Sequence, residues 1–519
     1  MIHLIPTEAK RFRTFGWVQD PSDFRSLCDV VAIFDETSLK HQELAGQVIP
    51  ALVEERDGRQ RLLDALNQRP LRISYTDLVG TSFTPRSAAR CNGIVQAAVR
   101  GQVRPFIGDW PADNFVRWAH ALGFLRYGYQ GDAFELTETG KALAQARTQG
   151  EELNSQEKEL LTSAVLAYPP AVRILSLLGE GEGAHLTKFE LGKQLGFVGE
   201  DGFTSLPQTV LVRSLASSKD AKEKNKMKTD WDGSSDKYAR MIAKWLEKLG
   251  LVKQEAKPVT VTLAGRKYTE SIGQSYVITG LGITALNRTL GKSRHKRIPK
   301  NVSFEMMATK GDDREYLRTR RTCVLKAVSE GKGRVSYTEI QKYLEALGLQ
   351  EDEATIRDDV QGLIHIGLNI AAGERECVWK DEINDLILPV PKKLAKSSQS
   401  ETKEKLREKL RNLPHEYLSL VDLAYDSKQN RLFEMKVIEL LTEECGFQGL
   451  HLGGSRRPDG VLYTAGLTDN YGIILDTKAY SSGYSLPIAQ ADEMERYVRE
   501  NQTRDELVNP NQWWENFEN

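Results

Sequence analysis

One pattern occurs three times along this chain of 519 residues and constrains its fold more than any other feature. In each copy an amphipathic helix ends at a glycine, an apolar strand follows at once, and a hairpin-like stretch comes next. A glycine at this position is typical of a helix that ends in the left-handed conformation. The copies begin at Asn114, Ser235 and Ala354. Their glycines are Gly123, Gly250 and Gly367. The recurrence predicts a repeated module.

The order of elements in each copy is that of the late part of a winged helix-turn-helix, whose recognition helix enters the major groove of DNA. The second copy has the clearest helix, because an apolar stripe at i, i+3 and i+4 spacing lies opposite a row of cations. The apolar residues are Tyr238, Ile242, Trp245, Leu246 and Leu249. The cations are Lys237, Arg240, Lys244 and Lys248. An ordinary surface helix with solubilising lysines is the alternative interpretation.

The third copy differs from the others in charge. It carries Asp358, Asp359 and Glu374 and lacks a basic face. Because acidic groups repel phosphate, we expect this copy to contact protein rather than DNA.

Overall charge limits how this chain can bind a polyanion. The 71 Lys and Arg residues are balanced by 72 Asp and Glu residues, which excludes a globally basic, histone-like binder. Binding must then depend on local clusters such as residues 219–228 and 288–300, which are rich in Lys and Arg. Solvated loops are the alternative interpretation of such clusters.

Cysteine spacing and hydropathy bear on the cellular compartment. The five cysteines lie far apart without C-x-x-C spacing, which predicts reduced core residues rather than a zinc site. The chain has neither a run of eighteen apolar residues nor the apolar stretch of a secretory signal. We therefore expect a soluble cytoplasmic protein that makes no use of a membrane.

Residues 389–404 (PVPKKLAKSSQSETKE) are polar, rich in Ser and Lys, and free of aromatic side chains. This composition is typical of a flexible linker between folding units. Beyond it, residues 405–413 are predicted to form a charged helix and residues 431–444 an amphipathic one.

Acidic and basic residues with the chemistry of phosphodiester hydrolysis follow these helices. Asp459 ends a glycine-rich turn, and residues 472–480 (GIILDTKAY) are predicted to form a strand. Side chains alternate along a strand, so Asp476 and Lys478 should project from one face. Asp459 and Asp476 are predicted Mg²⁺ ligands, because this ion prefers carboxylates, water and phosphate oxygens. Lys478 would hold the attacking water or balance charge on the phosphate.

This motif is only weakly specific by itself, and its value comes from its place in a strand after a predicted linker. A surface Asp and Lys on an edge strand are the alternative interpretation. Glu434, on the preceding helix, is a further candidate for metal contact, with a solvated helix residue as the alternative.

At these residues the sequence resembles the type IIS restriction endonucleases of the FokI kind. The resemblance runs from about residue 11 to the end, through stretches such as RTFGWVQDP, FVRWAHALGF, GSSDKYARMI, HLGGSRRPDG and DTKAY. It implies a multidomain fold with a mainly α recognition region of winged-helix-like subdomains and an α/β nuclease domain of the PD-(D/E)xK fold. The implied domains are residues 1–150, 151–290 and 291–388 for recognition, a linker at 389–404, and a cleavage domain at 405–519.

The resemblance also implies functional residues and a target. The catalytic motif falls on Asp459, Asp476 and Lys478, and the implied recognition site in duplex DNA is GGATG. Contacts to bases and DNA backbone would fall on Gln19, Arg86, Trp110, Asp232, Lys237 and Arg240. The chain departs from the family pattern where Asp20 and Thr229 replace asparagine and Asp232 replaces glutamate, which leaves the exact specificity open.

Family cleavage domains pair through a helix in which an Asp and an Arg bridge to the partner copy, and here these are Asp492 and Arg496. An intrahelical i, i+4 salt bridge is the alternative. The implied partners are double-stranded DNA, a second copy paired transiently on DNA, and a cognate DNA methyltransferase. The implied location is the prokaryotic cytoplasm, in association with the nucleoid.

Family members continue for several tens of residues beyond the position of Trp513 and Trp514, whereas this chain stops at Asn519. Loss of a strand would expose a sheet edge, so we expect a shortened cleavage domain. Two functions follow: a site-specific nuclease that cuts outside its site, or a DNA-binding protein whose truncated nuclease domain is inactive.

Overall fold

The computed structural model describes most of the chain. The described residues are 2–7, 15–80, 90–148, 150–181, 183–200, 203, 205–218, 220–234, 236–263, 266–292, 296–309, 313–331, 333–391, 396–464 and 471–516.

The first module is built around a small antiparallel sheet. The strands of this module are β1 (Ile2–Thr7), β2 (Ile73–Ser74), β3 (Leu125–Gly128) and β4 (Ala133–Leu136). Its helices are α1 (Phe24–Ala32), α2 (Leu39–Glu43), α3 (Ile49–Leu52), α4 (Arg56–Asn67), α5 (Tyr75–Val79), α6 (Ile94–Ala98), α7 (Asp109–Ala121) and α8 (Glu138–Ala146), with a π-helical turn at Leu44–Val48. The sheet order is β2-β4-β3, and β1 lies outside it.

The second module repeats this plan with an added hairpin. Its helices are α9 (Ser155–Ala167), α10 (Pro169–Gly179), α11 (Lys188–Lys193), α12 (Gln208–Ser217), α13 (Ala221–Ser234), α14 (Lys237–Lys248) and α15 (Gly280–Thr289). Its strands are β5 (His185–Thr187), β6 (Val252–Gln254), β7 (Lys257–Leu263), β8 (Arg266–Ile272) and β9 (Ser275–Ile278). The sheet order is β5-β9-β6, and β7 pairs with β8 alone. The hairpin predicted directly after α14 is therefore an insertion between two paired strands.

The third module has the same sheet order without the insertion, β10-β12-β11. Its helices are α16 (Arg314–Glu330), α17 (Tyr337–Ala346) and α18 (Glu353–His365), after a 3-10 turn at Phe304–Met307. Its strands are β10 (Arg334–Ser336), β11 (Ile370–Ala372), β12 (Glu376–Trp379) and β13 (Leu386–Pro391). Strand β13 pairs in parallel with β1, so the first and third modules share a two-stranded sheet.

The C-terminal domain is a three-stranded antiparallel sheet, β14-β15-β16, with helices packed against it. Its helices are α19 (Ser398–Lys409), α20 (Leu420–Leu423), α21 (Asn430–Glu443) and α22 (Ile488–Thr503), with 3-10 turns at His415–Ser419, Ser427–Gln429 and Trp513–Asn516. Its strands are β14 (Gln448–His451), β15 (Gly460–Tyr463) and β16 (Gly472–Leu475). Trp513 and Trp514, which follow α22, are buried against Tyr463 and Tyr497 and are part of the core of this domain.

The repeat predicted from sequence is present as three sheets of one order, and in each module a helix that ends at a predicted glycine leads into the second strand of the sheet. Gly123, Gly250 and Gly367 have φ of +77°, +74° and +107°. With a sheet in every module, the recognition region is mixed α/β rather than mainly α.

Two expectations about secondary structure were wrong. Strand β13 and helix α19 both extend into residues 389–404, so much of the predicted flexible linker is ordered. Backbone pairing with β1 and packing of α19 on α18 supply interactions that composition alone does not reveal. The strand predicted at residues 472–480 ends at Leu475, because its partner β15 begins at Gly460 and pairs with Leu475.

Apolar contacts cross the module boundaries. One core runs through the first three modules, and in it Trp118 of α7 stacks on Trp245 of α14 with ring centres 4.9 Å apart. A second core joins the second module to the C-terminal domain, where Val210, Leu211 and Leu215 pack with Met435 and Ile438. Because these cores are shared, the boundaries between the modules are packed interfaces. Burial of apolar surface at such an interface contributes about 25 cal/mol per Å² to stability.

The cysteines follow the prediction with one exception. Cys28, Cys91, Cys323 and Cys377 are buried thiols, whereas Cys445, after α21, is exposed. Among the described residues no single helix is long and apolar enough to cross a membrane, although α9 and α10 pass that test as a pair bent by 82°.

Candidate active site and nucleic-acid interface

The predicted catalytic carboxylates lie side by side at one edge of the C-terminal sheet. Gly460 at the start of β15 pairs with Leu475 at the end of β16. Asp459 and Asp476 are the next residues outward on the two antiparallel strands, so they face each other at the point where pairing stops. The backbone N–H of Thr477 donates to Asp459 Oδ2 at 2.7 Å, and the Thr477 hydroxyl donates to the same oxygen at 3.1 Å.

Lys478 joins this pair by a route that differs from the prediction. Its Nζ donates to Asp476 Oδ1 at 2.6 Å, yet both residues lie beyond the end of β16. Strand alternation therefore does not bring them together. The non-strand backbone at residues 476–480 turns both side chains toward the same space.

The site has a surplus of negative charge. Burial, followed by the charge of Glu434, raises the pKa of Asp459 to about 7, with Asp476 adding to the shift and the Thr477 N–H opposing it. Burial acts to lower the pKa of Lys478, but its hydrogen bond to Asp476 and the neighbouring carboxylates raise it overall. Asp459 thus carries its proton up to near-neutral pH unless a cation compensates its charge.

Glu434 of α21 belongs to the same site, as the sequence suggested. Its Oε2 lies 2.7 Å from Nε2 of His451, the last residue of β14. The His451 ring is buried, and its Nδ1 has no hydrogen-bond partner in the described part of the chain. Sequence reasoning missed His451. Its position directly before the predicted glycine-rich turn, eight residues before Asp459, was a usable signal.

Gln490 of α22 is a second residue that sequence reasoning missed. Its Nε2 donates to Asp476 Oδ2 at 2.7 Å and to Glu493 Oε2 at 3.0 Å. Nothing local in the sequence marks Gln490, because it meets Asp476 only through the docking of α22 beside β16. With Lys478 on one oxygen and Gln490 on the other, Asp476 is held from both sides.

The donor set fits a hard divalent cation that retains water ligands. Within the described ranges no group of three or more His, Cys, Asp and Glu side chains is arranged to enclose a metal. Mg²⁺ often binds through only one or two carboxylates and fills its other positions with water and phosphate oxygens. Asp459 and Asp476 supply that number. Burial first, and then the charges of Glu434 and Asp476, raise the pKa of Asp459, and a bound cation would offset both effects.

The residues implied to bind DNA are only partly described. Arg86 and the side chain of Asp232 lie outside the described residues. Trp110 begins the first turn of α7 with its side chain 39% exposed, and the Arg117 guanidinium lies over its ring. Lys237 is exposed and Arg240 half-buried on the first turn of α14. These two helix starts are thus the parts of α7 and α14 that carry the implied contacts.

Gln19 lies between the two helices. Its backbone N–H donates to Asn114 Oδ1 of α7 at 3.4 Å, and its side-chain Nε2 donates to the hydroxyl of Tyr238 on α14 at 3.0 Å. The structure therefore brings Gln19 together with the start of α14, which sequence separation did not indicate.

The basic cluster at residues 288–300 is less available than its composition suggests. Lys300 is fully buried in an ion pair with Asp381 at 3.0 Å. The Arg297 side chain donates to the carbonyl of Leu290. Residues 293–295 lie outside the described residues.

Asp492 and Arg496 share an exposed side of α22. The alternative of an intrahelical bridge between them is not found in the described structure. Arg496 pairs with Glu493 at 2.7 Å and with Glu500 at 3.5 Å, while Asp492 is exposed and has no ion pair or hydrogen bond there.

Four family models match successive parts of the chain. The family model described as the FokI recognition domain, subdomain 1, matches residues 13–146, and that of subdomain 2 matches residues 157–294. The FokI D3 domain model matches residues 307–375, and the FokI cleavage domain model matches residues 396–519.

Two characterised relatives are similar over nearly the whole chain. The type II restriction enzyme FokI of Planomicrobium okeanokoites is 46% identical over 510 residues, which cover 97% of this chain and 87% of the relative. The type II restriction enzyme StsI of Streptococcus sanguinis is 34% identical over 516 residues, which cover 96% and 84%.

Solved structures agree. The structure of restriction endonuclease FokI superposes with a TM-score of 0.89 at 46% identity and covers 98% of this chain and 88% of that one. The structure of FokI bound to DNA superposes with the same TM-score at 45% identity, over 98% and 88% of the two chains.

The match to the cleavage domain model and the similarity to two type II restriction enzymes show that the chain is a type II restriction enzyme, a hydrolase that cleaves DNA. All four domain models of one family match the chain in order. The protein belongs to the FokI family of type IIS restriction enzymes.

Proposed function

We propose that this enzyme binds a short asymmetric site in duplex DNA, GGATG, and hydrolyses both strands at a fixed distance outside it with Mg²⁺. The proposed domains are the winged-helix-like recognition subdomains at 1–150, 151–290 and 291–388, the connecting segment 389–404 and the cleavage domain 405–519. The observation that carries the proposal is the convergence of Asp459 and Asp476 at the β15 and β16 ends with Lys478 hydrogen-bonded to Asp476.

In this proposal Asp459 and Asp476 hold the cation and Lys478 acts on the reacting groups. The bound cation would polarise the phosphoryl oxygen, activate a water and stabilise the leaving oxygen. Thr477 orients Asp459 through two hydrogen bonds, and Gln490 orients Asp476. Lys478, with three N–H donors, holds the attacking water or balances charge on the phosphate.

In this proposal recognition rests on six residues of the first two subdomains, of which Trp110 lies at the start of α7 and Lys237 and Arg240 lie at the start of α14. Gln19, Arg86 and Trp110 belong to the first subdomain, and Asp232, Lys237 and Arg240 to the second. An Arg fork suits the O6 and N7 acceptors of guanine, and a Lys donates to either. In this proposal the third subdomain contacts protein, which is supported by the ion pair of its Asp358 with Arg407 of the cleavage domain at 3.1 Å.

Double-strand cleavage requires two active sites, since one site faces one strand. We propose that Asp492 and Arg496 on α22 contact a second copy, transiently and on DNA. The exposed Ile488, one turn before Asp492 on the same side of the helix, provides apolar surface for that contact. A cognate methyltransferase protects host DNA in the prokaryotic cytoplasm, where the enzyme acts.

Plasmid cleavage tests the proposal directly. A plasmid with a single GGATG is incubated with the protein and Mg²⁺, and with Asp459→Ala, Asp476→Ala and Lys478→Ala variants. Expected are breaks at one offset for the wild type and, for each variant, unchanged binding with cleavage slowed at least about a thousandfold, roughly 4 kcal/mol in barrier.

The same assay distinguishes an active nuclease from the alternative function, a DNA-binding protein whose nuclease domain is inactive. Binding of GGATG without any breaks would support a DNA-binding protein with an inactive nuclease domain. Cleavage by the Asp476→Ala variant at the wild-type rate would contradict the proposed catalytic site.

A further inference from the structure

A short segment of the first module, residues 17–22, runs between the recognition helices of two modules. We call it the arm. Its Pro21 carbonyl accepts a hydrogen bond from Trp245 Nε1 at 2.8 Å, and its Ser22 carbonyl accepts one from Lys248 Nζ at 2.7 Å. Both donors lie on α14 of the second module. The arm is therefore fixed to α14 along the length of that helix.

The arm is also fixed to the first module. Gln19 N–H donates to Asn114 Oδ1, and Asn114 Nδ2 donates to the carbonyl of Trp110 at 3.0 Å. Asn114 is fully buried on α7. The backbone of Gln19 is thus held by Asn114 of α7, and its side chain is held by Tyr238 of α14.

Tyr238 is itself held in place by aromatic contacts. Its ring lies 5.1 Å from that of Trp17 and 6.1 Å from that of Phe203, and it is buried on the first turn of α14. A ring packed in this way presents its hydroxyl at a defined point. The Gln19 amide, which is half-buried, donates to that hydroxyl.

A glutamine reads adenine with its oxygen and one N–H, and its amide has a second N–H to spare. If Tyr238 accepts that second N–H, the amide has only one orientation toward a base edge. We infer that Tyr238 of the second module is a positioning residue for Gln19 of the first, so that base discrimination by the two modules is coupled through this hydrogen bond. The inference rests on the proposed role of Gln19 in reading DNA.

A binding selection from a randomised duplex library in EDTA tests the inference, because it measures preference at each base pair without cleavage. Gln19→Ala should lower the preference at one base pair by about tenfold, the range of a lost bidentate contact. Tyr238→Phe keeps the ring and should lower the preference at the same base pair by about two- to tenfold, the range of one hydrogen bond. The double variant should lose no more than Gln19→Ala alone.

Tyr337→Phe is the matched control, because it removes a tyrosine hydroxyl that donates to the Gly373 carbonyl of the third module. It should leave every base preference unchanged. Gln19→Asn leaves α14 unaltered but shortens the side chain by one methylene, which withdraws the amide from Tyr238 and from the base together. It should therefore lower the preference at that same base pair by at least as much as Tyr238→Phe. Thermal unfolding of each variant identifies any that fails to fold.

Additive losses in the double variant would overturn the inference, as would a Tyr238→Phe profile equal to that of the wild type. A Gln19→Ala variant with unchanged preferences would overturn it as well. Failure of the proposed function has a different signature, since a wild-type protein that selects no sequence would not bind DNA specifically at all.

Discussion

Asp459 is the residue of the candidate active site at which burial and neighbouring negative charge act together to raise the pKa of a carboxyl. Its raised pKa of about 7 means that folding without a cation favours the protonated carboxyl. A carboxyl with a raised pKa binds its proton more tightly in the folded than in the unfolded chain. Stability therefore falls as pH rises from the unfolded value, near 4, to about 7, and then levels off.

We predict that Asp459→Asn stabilises the metal-free protein at pH 8, because an amide carries no charge to bury beside Glu434. The gain should be about 1–3 kcal/mol, reduced from the full linkage value by solvent screening. Urea unfolding in EDTA at pH 8 and pH 5 measures it, with Asp492→Asn on the exposed side of α22 as control. A gain as large at pH 5 as at pH 8 would contradict the prediction.

At the scale of secondary-structure elements, the helix-stop glycines differ in their surroundings although they share one conformation. A Cβ added to Gly367 would overlap the Pro169 carbonyl, whereas no described atom lies within 4 Å of a Cβ on Gly250. Both positions have positive φ.

The stop glycines therefore yield a graded prediction. Gly250→Ala should cost about 1–2 kcal/mol, from the left-handed backbone alone. Gly367→Ala should cost clearly more, because α18 must also move away from α10. Denaturant unfolding of the two variants compares them, and equal losses would show that the close approach at Gly367 relaxes without cost.

The stacking of Trp118 on Trp245 joins α7 to α14 and yields a second prediction for these elements. Trp245→Ala should destabilise the protein by about 3–5 kcal/mol, as large aromatic deletions in cores do. Trp110→Ala, at an exposed helix start, should instead leave the unfolding midpoint nearly unchanged and weaken DNA binding. Chemical unfolding and a DNA-binding titration of both variants separate the two roles. Equal losses of stability and of DNA affinity in the two variants would contradict the prediction.

In the whole molecule, the cleavage domain is packed on the recognition modules. Ser214 of α12 donates to the carbonyl of His451 at 2.7 Å, and Arg457 pairs with Glu223 of α13 at 2.6 Å. The active-site strand β14 is thus directly covered by the second module.

Reversing the charge at this interface should loosen the domain. Glu223→Arg is expected to raise the rate of proteolytic nicking within 389–404 by about two- to fivefold, in line with the small energy of a partly exposed ion pair. The double variant Glu223→Arg/Arg457→Glu should restore the wild-type rate. Nicking that stays fast in the double variant would assign the effect to lost packing rather than charge.

Much of this organisation could be predicted before the fold was known. The glycine stops, the apolar stripe of α14 and the residues Asp459, Asp476 and Lys478 all follow from local rules of spacing and side-chain chemistry. The ends of the last strand and of the linker could not be predicted. Strand length depends on the partner strand, and the extension of β13 to Pro391 depends on pairing with β1 at the far end of the chain.

The amino-acid sequence by itself determined that three helices stop at Gly123, Gly250 and Gly367, and it indicated Asp459, Asp476 and Lys478 as the proposed catalytic groups, because both rest on local spacing and side-chain chemistry. Only the tertiary structure decided that His451 meets Glu434, that Gln490 holds Asp476 and that Gln19 reaches Tyr238. These contacts join residues on separate elements. Their distances are set by how sheets and helices pack, which no local pattern encodes.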